Sequence, residues 1–172
     1  GCWQCAVAIE SGNQEVLSKI IKKPLRLERV KPLIAEMARL KIRTTAFFVI
    51  GFPGESQRQI RDTLSYALSL STDDLGIYFA TPYPGTELYN ISCQKGLIKN
   101  DLNLRNLKVS NVTIQPEGVS ARQLEKMVSR TVILFRLRKI LQRPHVFILR
   151  WIARFAREPF SALRRLGRLI SS

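Results

Sequence analysis

Residues 45–50, Thr-Ala-Phe-Phe-Val-Ile, form a short run with no charge, rich in β-branched and aromatic side chains. The run ends on Gly51-Phe52-Pro53-Gly54-Glu55 ahead of a polar, helix-forming stretch. That pattern predicts a buried strand, a turn and a helix. A second strand is predicted over 5–10, where alternation sends Ala6, Ala8 and Glu10 to one face and Cys5, Val7 and Ile9 to the other. A third is predicted over 75–81. Between the strands the period changes to three and four. Val16, Leu17, Ile20 and Ile21 mark a short helix over 14–22 that Pro24 ends, and Val30, Leu33, Ile34, Met37 and Leu40 mark another over 27–40. Ile60, Leu64, Ala67 and Leu68 do the same over 57–70. Pro32 falls within the first turn and a half of its helix, where the missing N–H disrupts little.

Strands joined by helical crossovers of this length predict a parallel sheet of an α/β protein with right-handed connections. Three parallel strands do not close a barrel, and the first has no crossover before it. The expectation is an incomplete parallel α/β sheet over 1–92, or alternatively a complete small α/β domain with an open sheet edge, followed by an irregular polar connector over 93–118 and a helical extension over 119–172. In that extension Ser120 is a candidate N-cap. Leu124, Met127, Val128, Thr131, Val132, Leu134, Phe135 and Leu137 predict a broad apolar face, and Pro144 and Pro159 divide the extension into three pieces.

Charge changes the picture of that extension. The chain has 172 residues, enough for one domain with an appendage, and a net charge of +15 that is unevenly placed. Residues 1–120 carry 15 Lys and Arg against 11 Asp and Glu, whereas 121–172 carry 13 against 2. Three cysteines with no secretory leader point to a reducing, cytoplasmic compartment rather than a disulfide framework. Cys2-Trp3-Gln4-Cys5 has redox spacing, but in a strand a separation of three sends the two thiols to opposite faces. The sole histidine, His145, has no acidic neighbour in sequence, and no P-loop, GxGxxG or protein-based metal site is visible.

The chemistry-bearing residues gather where strands end. Glu10 closes an otherwise apolar strand, so its carboxylate must reach water or hydrogen-bond donors such as ribose hydroxyls. Gly51 and Gly54 allow close backbone approach with Pro53 stiffening the turn between them, and Val49 shares a face with Phe47 and Gly51. Thr81-Pro82-Tyr83-Pro84-Gly85-Thr86-Glu87 makes a rigid turn with exposed carbonyls and a helix N-cap at Thr86.

In this order and spacing, IESG within AVAIESGNQEVLSKIIKK, then VIGFPGES, then TPYPGTELY resembles the second half of the radical S-adenosylmethionine (radical SAM) enzymes. The likeness covers about residues 6–89 and is closest to the branch that often carries a cobalamin-binding domain. The resemblance implies three strands of a six-stranded TIM-like barrel, with S-adenosylmethionine as cofactor and a [4Fe-4S] cluster that starts 5′-deoxyadenosyl-radical chemistry. It also implies a cobalamin partner domain and a missing N-terminal barrel half. By the same resemblance Glu10, Ser11 and Gly12 meet the ribose or methionyl group, and Lys22 the cofactor carboxylate. Val49 and Gly51 form the adenine wall with Pro53 and Gly54 in its turn, and carbonyls around Pro82 and Tyr83 accept from the adenine amino group. Two departures stand out: Phe47 occupies a position that is often small, and Glu55 comes one place late. The cluster signature CxxxCxxC does not occur, so no catalytic residue or metal ligand is assigned to this chain.

The basic extension suggests a peripheral contact with the inner face of a membrane. Ile148, Leu149, Ile152, Phe155 and Ala156, then Phe160, Leu163, Leu166 and Ile170, recur at helical spacing among arginines and beside Trp151. The competing reading is a non-catalytic basic module on nucleic acid or an anionic membrane. Against nucleic acid, the arginines alternate with aliphatics rather than exposed aromatics suited to base stacking, and that module leaves IESG, GFPGE and PYPGT unexplained.

Overall fold

The computed structural model describes residues 1–98, 108–116 and 118–142. Two compact units divide the chain, 1–134 and 135–172, and the described part of the second is the last two turns of one helix. His145 and the predicted apolar stripes of 146–170 lie outside the described residues.

Within the first unit, β1 (Gln4–Glu10), β2 (Arg43–Ile50) and β3 (Asp74–Phe79) form one parallel sheet in the order β1-β2-β3. The register pairs Ala8 with Phe47 and Phe47 with Gly76, then Val49 with Tyr78. Paired residues of a parallel sheet share a face, so the two faces can be read directly. One carries Val7, Ile9, Ala46, Phe48, Ile50, Leu75, Ile77 and Phe79, and packs on the helices. The other carries Ala6 and Ala8, which are exposed, and Thr45, Phe47, Val49, Gly76 and Tyr78, which are half-buried. Sequential strand order with helices on one face is consistent with part of an α/β barrel.

α1 (Val30–Arg39), entered through a short 3-10 turn at Leu27–Arg29, packs Val30 and Ile34 on Ile9, Ala46 and Phe48. α2 (Gln57–Ser69) turns Ile60, Leu64 and Ala67 inward. Its start is fixed by a capping box, in which Ser56 Oγ accepts from Gln59 N–H and Gln59 Oε1 accepts from Ser56 N–H. After β3 comes α3 (Glu87–Gln94), capped by Thr86 Oγ1 accepting from Tyr89 N–H at 3.2 Å. Part of the predicted connector packs instead of crossing solvent: Phe79 N–H donates to the Val109 carbonyl at 2.8 Å, and Ile114 is buried.

α4 (Ala121–Gln142) begins at a Ser120/Gln123 capping box. Its apolar face is narrower than the sequence suggests. Leu124, Thr131 and Phe135 are buried, whereas Leu134 and Leu137 are exposed.

Two further departures bear on the site. The helix after β1 widens into a π-helical turn at Val16–Ile21, and Lys22 ends it in the left-handed region at φ 59°. In β1 the alternation fails at its last residue. The register shifts between Ala8 and Glu10, which pairs with Phe48 at φ 70°, so Glu10 does not continue the Ala6–Ala8 face.

Candidate functional site at the carboxyl ends of the strands

Parallel strands end together, so the segments after β1, β2 and β3 meet at one edge of the sheet, where α/β folds receive their ligands. The first segment is bolted to α2. Ser11 is fully buried, with its Oγ 2.9 Å from Thr63 Oγ1, and Gly12 N–H donates to the same Thr63 oxygen at 3.1 Å. Asn13 Nδ2 donates to Asp62 Oδ2 at 3.0 Å, while Asn13 Oδ1 accepts from the N–H groups of Glu15 and Val16. Gly12 must be glycine for a steric reason. A Cβ there would stand 2.4 Å from Tyr66 Cβ and 2.8 Å from Thr63 Cα. The Ser11 hydroxyl and Gly12 N–H are thus engaged in holding the turn, and Glu10 is the half-buried acceptor left facing outward.

Glu10 has a cationic neighbour that the spacing did not single out. Lys23 Nζ lies 3.4 Å from Glu10 Oε1 and donates to the Ala8 carbonyl at 2.6 Å. Lys22, the residue singled out in the sequence, pairs instead with Glu87 at 2.6 Å, both side chains well exposed. The left-handed residue at Lys22 parts the two neighbours. No local signal in Lys-Lys distinguishes them.

The second segment is organised by Glu55. Its Oε2 accepts from Gly51 N–H at 2.7 Å and from Phe52 N–H at 3.1 Å, closing the turn over itself. Gly51 and Gly54 both sit at φ 86°, a conformation that disfavours any side chain. Glu55 is 1 % exposed, and its Oε1 has no hydrogen-bond partner among the described residues. Burial pushes its carboxyl up to about 7 against the two backbone donors, which pull the other way. The signal for this role was a carboxylate four residues after the first glycine of the turn.

Gly51 and Pro53 are buried beneath this turn while Gly54 is exposed, with Lys95 Nζ 3.9 Å from where its Cβ would lie. Val49 is half-buried on the open face. In the third segment Pro82 is buried and Tyr83 exposed, and the turn is held by Tyr83 N–H donating to the Thr81 carbonyl and Thr86 N–H to the Tyr83 carbonyl, each at 3.1 Å. Glu10, Val49, Gly54, Tyr83 and the lysines 22 and 23 are therefore the accessible part of the edge, and Ser11, Gly51, Pro53 and Pro82 its buried support. This arrangement can bind a ligand with apolar and hydrogen-bonding parts. Among the described residues no three His, Cys, Asp or Glu side chains gather as metal ligands.

No family model matches the chain. It is similar to a cytidylyl-2-hydroxyethylphosphonate methyltransferase of Streptomyces wedmorensis, 32% identical over 125 residues that make up 69% of this chain and 23% of the relative. An uncharacterized methyltransferase of Pyrococcus horikoshii is 26% identical over 80% of this chain and 30% of its own length. A tRNA-2-methylthio-N(6)-dimethylallyladenosine synthase of Neisseria meningitidis is 26% identical over 67% of this chain and 26% of its own. The chain thus spans less than a third of the curated relatives it matches. Their likeness, with the three motifs at one sheet edge, supports the radical SAM superfamily.

Proposed function

We propose that the chain is a segment of a radical SAM enzyme that transfers a methyl or methylthio group, and that it supplies the nucleoside-binding edge of the barrel. The observation that carries this reading is the convergence of Glu10, the Gly51–Glu55 turn and the Pro82–Tyr83 turn at the carboxyl ends of three adjacent parallel strands. The methyltransferase and methylthio-synthase names of the relatives support the reaction class.

The residues present suit the nucleoside. Glu10 offers an acceptor for ribose hydroxyls or the methionyl amine, and Lys23 Nζ, 3.4 Å from its Oε1, fixes where that carboxylate lies. Val49 offers an apolar wall beside the side-chain-free Gly51, and a carbonyl of the Pro82–Tyr83 turn would accept from an exocyclic amine, in the case of Tyr83 beside the bonds that it already accepts from Thr86. Ser11, Gly12 and Pro53 act by fixing backbone rather than by contact. Lys22 is paired with Glu87, and Lys23 is the nearer cation to Glu10.

The [4Fe-4S] cluster has no ligand set among these residues, so we assign it to residues outside this chain, along with the remaining barrel strands. A cobalamin-binding domain belongs to the same proposal. What this chain contributes is binding, orientation and exclusion of water.

Saturation-transfer NMR with S-adenosylmethionine tests the reading. Transfer to adenine and ribose protons is expected, weakened in Glu10→Ala and Lys23→Ala and unchanged in Lys22→Ala. No transfer at millimolar ligand overturns the binding role. Formation of 5′-deoxyadenosine by this chain alone, after iron and sulfide reconstitution, overturns the assignment of the cluster elsewhere.

A further inference from the structure

α4 carries a surface that the nucleoside site does not use. Ile133, Leu134, Leu137 and Leu141 are 56%, 45%, 50% and 81% exposed. Ile133, Leu137 and Leu141 are four apart, so they follow one line along the helix, with Leu134 on the adjoining line seven residues before Leu141. The buried residues Leu124, Thr131 and Phe135 share the opposite side. The exposed aliphatics are therefore a second, outward apolar stripe of the same helix.

The charge around that stripe has one sign. α4 carries Arg122, Lys126, Arg130, Arg136, Arg138 and Lys139 against Glu125 alone. Arg130 lies on the arc of the stripe one turn before Leu134, and Arg136 and Arg138 flank Leu137 on either side. Lys139 and Arg138 stand 5.7 and 5.5 Å from the Phe135 ring. The sequence that follows adds seven more arginines and one glutamate. No helix among the described residues is long and apolar enough to cross a membrane.

We propose that this face of α4 lies on an anionic lipid surface, with the four aliphatics in the headgroup–acyl boundary and the arginines on lipid phosphates. The aliphatics require an apolar medium that a phosphate backbone lacks, and the excess of positive charge requires an anionic plane. An anionic bilayer supplies both.

Cosedimentation of the full chain with neutral phosphatidylcholine vesicles and with vesicles containing phosphatidylglycerol tests this. Binding to the anionic vesicles alone is expected, falling with salt and by about fivefold for each of Arg130→Ala and Arg136→Ala. Leu137→Glu with Leu141→Glu should abolish it, and Leu137→Ala with Leu141→Ala should weaken it, with the thermal midpoint unchanged in both because these side chains are exposed. Absent or equal binding to the two vesicle types overturns the proposal, as does undiminished binding by the leucine variants. A dimer in light scattering that the same substitutions dissolve, without vesicle binding, reassigns the stripe to a second copy of the chain and also overturns it.

Discussion

Phe47 lies across Gly76: the two are register partners on β2 and β3, and a Cβ on Gly76 would stand 2.6 Å from Phe47 Cδ1 and 3.1 Å from Tyr78 Cε2. The missing side chain on β3 makes the room that the large residue on β2 fills. The same space lets the Phe47 ring approach Tyr78, with centroids 5.8 Å apart.

That pairing is testable as a cycle. Gly76→Ala should destabilise the chain by about 1–3 kcal/mol through overpacking, and Phe47→Ala by a lost half-buried ring. The double variant should lose clearly less than the sum, because removing the ring removes the clash. Urea unfolding of the four proteins measures the coupling, and strict additivity would show that the ring does not rest on Gly76.

Glu55 should make stability depend on pH in an uncommon direction for a carboxylate. Its folded value of about 7 stands above the ordinary 4.5, so the folded state holds the proton more tightly. Its contribution is full below the ordinary value and is lost as pH rises through about 7, amounting to about 3 kcal/mol by linkage. Glu55→Gln keeps an oxygen for the Gly51 and Phe52 N–H groups and removes the titration. The difference between wild type and variant in urea midpoint should therefore slope between pH 4.5 and 7 and flatten above. A flat difference throughout that window would show that the carboxyl is not desolvated.

Gly12→Ala should be among the most damaging small substitutions, costing about 2 kcal/mol or more, since backbone and Cβ atoms of α2 would have to move. Thr63→Val separates the hydrogen bonds from the packing: it leaves Ser11 Oγ and Gly12 N–H without their shared partner at little change in volume, at a cost of about 1–3 kcal/mol. Thermal unfolding measures both, and a neutral Thr63→Val would show that water replaces the threonine oxygen.

The strands, helices and caps were legible because each rests on short-range physics. A run such as 45–50, short and rich in β-branched and aromatic residues, favours a buried strand, and Thr86 and Ser120 announce helix starts by their own oxygens. What escaped depended on conformations that period cannot encode. The bulge at Glu10 broke the alternation that placed it beside Ala6 and Ala8. The left-handed residue at Lys22 exchanged the surroundings of two adjacent lysines. The resemblance reads Ser11 and Gly12 as ligand contacts, and the structure adds what no local pattern carries: their bonds to Thr63, 52 and 51 residues away in sequence, and the close approach of Tyr66.

The ion pair of Lys22 with Glu87 joins the end of the helical turn after β1 to the first residue of α3 after β3, the two outermost strands, with β2 between them. An exposed pair of this kind is worth about 0.5 kcal/mol, close to thermal energy at room temperature. The carboxyl-terminal edge of the sheet is therefore bridged by a contact that opens and recloses continually. Each opening frees Lys22 Nζ and the Glu87 carboxylate together, so the two charges become available as a pair and never singly.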